Sequence, residues 1–75
     1  MNLMISQFAE LVAKQNSTVE VYLVNGGWKI RTVIGDMVVN LASQRRQERI
    51  FKSLDTAIQY AASHLHCYEA KVIWK

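Results

Sequence analysis

Thr18-Val19-Glu20-Val21-Tyr22-Leu23-Val24-Asn25-Gly26-Gly27-Trp28-Lys29-Ile30-Arg31-Thr32-Val33-Ile34 is the stretch from which the rest of the chain is read. Val19, Val21 and Leu23 alternate with Thr18, Glu20 and Tyr22, the period-two pattern of a strand with one face buried. Asn25-Gly26-Gly27 follows, and Asn-Gly tolerates the positive φ that a tight hairpin needs, so Trp28 to Ile34 is expected to return antiparallel beside the first strand. Trp28, Ile30 and Ile34 then point one way and Lys29, Arg31 and Val33 the other. A second turn at Gly35-Asp36 leads into Met37 to Leu41, where Met37, Val39 and Leu41 alternate with Val38 and Asn40. The result is a three-stranded meander.

Upstream, Met4, Ile5, Phe8, Leu11 and Val12 recur at helical spacing, so a helix is expected from Leu3 to Gln15, with Asn2 as its cap and Asn16-Ser17 as its end. Downstream, polar Ser43 to Glu48 reads as a loop or wide hairpin tip, and Arg49 to Lys52 as a short fourth strand. Ser53 can cap a second helix with Asp55 in its first turn, where the macrodipole favours a negative charge. Leu54, Ala57, Ile58, Ala61, Ala62 and Leu65 then follow the spacing of one helical face. Tyr68 to Trp74 closes the chain as a strand, with Tyr68, Ala70, Val72 and Trp74 on one side. The expectation is a single α+β domain over residues 1–75 in the order helix, three strands, short strand, helix, strand. Its sheet is expected to be antiparallel with both helices on one face, over a core of Phe8, Trp28, Ile30, Val39, Ile58 and Leu65.

At 75 residues and 8.6 kDa there is no room for a second domain. A chain of this size buries only about 60% of its unfolded surface, so a homodimer is expected to supplement the small core. With 51% hydrophobic and 20% charged residues the chain is far from the composition of disordered proteins. Cys67 is the single cysteine and cannot form an internal disulfide; with no leader pattern ahead of the domain, a cytoplasmic location is expected. The apolar runs fall far short of the ~20 residues that span a bilayer, so no membrane partner is expected. A net charge of +3 and a pI near 9.3 permit an anionic partner without demanding one.

Catalytic and metal chemistry find little support. His64, His66 and Cys67 bunch within one short segment with no second pair to complete a zinc site; the histidines read as a helix end and Cys67 as a small buried side chain. Cys67 lacks a separate base, the acids are scattered over different elements, and the glycines occupy hairpin turns rather than a phosphate-cradling loop. A non-enzymatic protein without cofactor or metal is expected. What remains is a basic surface: Lys29 and Arg31 on strand two, Arg45, Arg46 and Arg49 on and after the polar loop, and Lys71 on the last strand. On the uncovered face these cations share space with Tyr22, Val33, Val38 and Ile73, an arrangement suited to DNA. The same aliphatic members, with Val24, suit an isologous dimer face, and Glu20 and Glu69 would offset the charge.

Gly27-Trp28-Lys29-Ile30-Arg31-Thr32-Val33, the Arg-rich turn and Ile50-Phe51-Lys52-Ser53-Leu54-Asp55-Thr56-Ala57 resemble two families. Over most of its length the chain is similar to small partition-associated accessory proteins of plasmids and integrative elements. Val19 to Leu65 resembles the three-strand-plus-helix arm-binding domain of tyrosine integrases. The resemblance implies an accessory role in mobile-element DNA transactions, with DNA or a partition or transfer protein as partner, and carries DNA contact onto Lys29, Arg31, Arg45 and Arg46. The helix before the sheet and the strand after it depart from the integrase pattern. Changing Arg45 and Arg46 together to Gln is expected to leave stability within about 0.5 kcal/mol. The same change should flatten the log-log salt dependence of duplex binding by about 1.8 in a polarisation titration.

Overall fold

In the computed structural model, which describes residues 1–43 and 49–74, the meander forms as its alternation requires. Strand β2 (Val19–Val24) pairs antiparallel with β3 (Gly27–Ile34), and β3 with β4 (Met37–Leu41). Of the two residues in the first turn, Gly26 takes the left-handed φ, at 97°, and Gly35 takes it in the second, at 60°. Residues preceding the first helix are already strand: β1 (Asn2–Leu3) lies parallel to β4, and helix α1 (Ile5–Gln15) starts after it. Further along the chain come helix α2 (Leu54–His64) and β5 (Ala70–Ile73), which lies parallel to β2.

The sheet is therefore five-stranded and mixed, in the order β1-β4-β3-β2-β5, where an antiparallel sheet and a helix-first order were expected. The physical reason is the helices. An eleven-residue helix is about 16 Å long, enough to carry the chain back over the sheet, so the strands flanking it run the same way. β1-α1-β2 and β4-α2-β5 are two such crossovers, interleaved, and β3 alone runs against the other four strands.

Asn2 pairs with Asn40 in the sheet instead of capping α1; Met4 occupies the cap position and contributes no side-chain hydrogen bond. Ser53 does cap α2, accepting from the Thr56 backbone N–H at 3.2 Å. The expected strand at Arg49 to Lys52 reduces to a single antiparallel bridge between Phe51 and Trp28. The loop tip around Arg45 and Arg46 lies outside the described residues.

Val19, Val21, Ile30, Val39 and Leu41 from one face of the sheet close on Phe8 of α1, on Ala57 and Ala61 of α2 and on Leu65 at its C-cap, so both helices cover that face. Thr32 is the buried polar member. Its Oγ1 donates to the Thr18 carbonyl oxygen and lies equally close, at 2.8 Å, to Ser17 Oγ. Trp28 packs against this core without being fully enclosed.

Ile58, expected in the core, is 43% exposed. Ala57 and Ala61 take the centre of the α2 contact because their small side chains admit the helix backbone closest to the sheet. Tyr60 then turns to one side, onto Phe51, and Ile58 to the other, beside β5. Phe8→Ala should therefore cost about 3–5 kcal/mol by urea denaturation. Ile58→Asp in dilute solution should cost no more than about 1 kcal/mol, because its carboxylate reaches water.

Candidate functional site: the uncovered sheet face

Strand alternation sends every residue between the core positions to the opposite face, which carries no helix. The registers fix who stands beside whom. Glu20 is flanked by Arg31 on β3 and Lys71 on β5, Tyr22 by Lys29 and Ile73, Arg31 by Asn40, and Val33 by Val38. Lys29, Arg31 and Lys71 thus meet on one surface with Tyr22, Val33, Val38 and Ile73.

Arg31 is the centre of this surface, and two neighbours hold it. Its Nε donates to Glu20 Oε1 at 2.8 Å, and its guanidinium carbon lies 4.3 Å from the centroid of the Tyr22 ring. The Tyr22 hydroxyl reaches across β3 to donate to Asn40 Oδ1 at 2.9 Å. Both members of the ion pair are largely shielded, with 28% and 16% of their side-chain surface exposed. This shielding makes the pair stronger than an open surface bridge. Lys29 is half-buried alongside, while Lys71, Val33 and Val38 are exposed.

Arg49 sits elsewhere. Its guanidinium stacks 4.7 Å from the Tyr60 ring centroid and 5.1 Å from that of Phe51, on the helix-covered side of the sheet. Tyr60 in turn stacks on His64 at 4.3 Å. The sequence signal for this cluster was available in the i, i+4 spacing of Tyr60 and His64. The approach of Arg49 depends on the bridge at Phe51 and had no sequence signal. His66 and Cys67 line a cleft of about 740 Å³ between the end of α1 and residues 65–69, and the Cys67 thiol donates to the Glu69 carbonyl oxygen at 2.8 Å. Among the described residues no three His, Cys, Asp or Glu side chains are grouped to hold a metal, and no helix is long and apolar enough to cross a membrane.

The uncovered face thus combines cations, an aromatic ring and aliphatic side chains, with Arg31 held in place by Glu20 and Tyr22. Comparison with known proteins adds no neighbour, since no family model, curated protein or solved structure matches the chain. Glu20→Gln leaves the shielded Arg31 without its counter-charge and should cost about 1–2 kcal/mol in urea denaturation. Lys71→Gln, at the exposed edge, should cost less than about 0.5 kcal/mol.

Proposed function

We propose that the chain is a non-enzymatic accessory protein that contacts nucleic acid through the uncovered sheet face, in the DNA transactions of a mobile element. One observation carries the reading: three adjacent strands, β3, β2 and β5, bring Lys29, Arg31 and Lys71 together beside Tyr22 on a face that no helix covers. Lysine and arginine beside aromatic surface suit a phosphate backbone, and attraction of this kind depends on salt through counterion release. Arg31, already paired with Glu20, serves mainly to fix Tyr22 and the sheet surface. Phosphate contact is assigned first to exposed Lys71, with Lys29 adding charge beside it and Arg45 and Arg46 assigned contact by the resemblance alone. The resemblance to partition-associated accessory proteins supports the mobile-element setting.

A second reading, a protein-interaction module working as a homodimer without nucleic acid, is favoured by the exposed Val33 and Val38 on the same face. The two separate on substitution. If the face grips phosphates, Lys29→Gln with Lys71→Gln weakens duplex binding at low salt and flattens its salt dependence, while Val33→Ser with Val38→Ser leaves the salt slope intact. Wild-type protein that shows no binding to duplex DNA at low salt in a polarisation titration overturns the nucleic-acid reading. Loss of self-association in the valine variant then supports the second.

A further inference from the structure

β5 ends the sheet on the α2 side, with β2 as its neighbour, so one row of its backbone N–H and C=O groups has no strand partner among the described residues. Short edge strands usually carry a lysine to deter pairing, and Lys71 stands here. The segment around it, however, is self-complementary. Tyr68-Glu69-Ala70-Lys71-Val72 places an acid and a base either side of Ala70, and an aromatic and an aliphatic residue outside those.

We propose that a second copy of this chain docks antiparallel along β5 with the two-fold axis at Ala70, the first residue of the strand, so that Tyr68 and Glu69 just before it extend β5 when the two copies pair. In that register, with the strand extended through Glu69, Glu69 stands opposite the partner's Lys71 and Lys71 opposite the partner's Glu69, forming two cross-strand ion pairs. Tyr68 stands opposite the partner's Val72 on the helix side. There each subunit offers a groove of about 310 Å³ between α2 and β5, lined by Ile58, Ala62, Ala70 and Val72 and bordered by its own Tyr68 and Glu69. Tyr68, 81% exposed, is the side chain that fills the partner's groove, and it covers the Ile58 that the fold leaves open.

Charge selects this register and this occupant. Moving the axis to Lys71 sets lysine against lysine, and moving it to Val72 sets Lys71 against the partner's Ile73. An isologous contact needs a patch that complements itself, and the Glu69/Lys71 pair about a small central residue does so. An axis perpendicular to the sheet keeps both uncovered faces on one side, so the dimer presents one ten-stranded surface. The dimer stands whether or not that surface binds nucleic acid.

Sedimentation equilibrium on the full chain tests this, with far-UV circular dichroism as the check on folding. Wild type is expected to dimerise. Glu69→Lys and Lys71→Glu each turn two attractions into two repulsions and should weaken the dimer by about tenfold. The combined Glu69→Lys, Lys71→Glu chain should regain it to within about threefold, and Tyr68→Ala should weaken it with the fold intact. Because Lys71 also neighbours Glu20, Glu69→Lys is the variant that reads the interface without that contact. A chain that stays monomeric at its highest soluble concentration overturns the proposal. So do a dimer indifferent to the single reversals, a folded swap variant that does not recover, and a dimer lost only in Val33→Ser with Val38→Ser.

Discussion

The contact between the hairpin and the segment that leads into α2 sets the placement of most other elements. Trp28 and Phe51 exchange backbone hydrogen bonds, each N–H donating to the other's carbonyl oxygen at 2.8 Å. They come this close because Gly27 has no side chain: a Cβ there would fall on the Phe51 carbonyl and within 2.8 Å of Ile50 Cγ2. This bridge delivers Phe51 to the core, places Arg49 over Phe51 and Tyr60, and brings Ser53 to where it caps α2. The glycine pair after Asn25 thus does two jobs, Gly26 turning the hairpin and Gly27 admitting the Ile50–Phe51 segment.

With α2 seated there, the two crossovers leave the sheet asymmetric. Both helices lie on one face, α1 toward β4 and α2 over β3 and β2, and β5 is left with only the flank of α2 above it. The opposite face is free of both. Two helices of eleven residues on one face leave the opposite face and the outer edge of β5 open.

The uncovered face is ordered without being wholly cationic. Glu20 neutralises Arg31, the Tyr22 ring lies against the guanidinium, and Asn40 receives the phenol. A network of this kind fixes the Arg31 and Tyr22 side chains in the free protein, so this part of the surface is pre-organised. The neighbouring valines and Ile73 give the same face an apolar component, which is why charge alone does not define its role.

The sequence alone determined the meander, the sorting of its side chains onto two faces, and the burial of Phe8, Ile30, Val39 and Leu65. Alternation from Val19 to Leu41 assigns each side chain to a face whatever the strand order, and Asn25-Gly26 and Gly35-Asp36 set where the chain reverses. It thereby placed Tyr22, Lys29, Arg31, Val33 and Val38 together, and the cap at Ser53 was equally local. Tertiary structure decided the rest. Asn2–Leu3 is too short to carry a period, and becomes a strand only because β4 offers an edge. The parallel direction of β5 follows from the return path of α2, which spacing within β5 cannot encode. Ile58 and Ala61 both satisfy the helical stripe. Which of them is buried depended on the helix's rotation, set by alanines against the sheet and Tyr60 against Phe51, contacts between residues far apart in the chain.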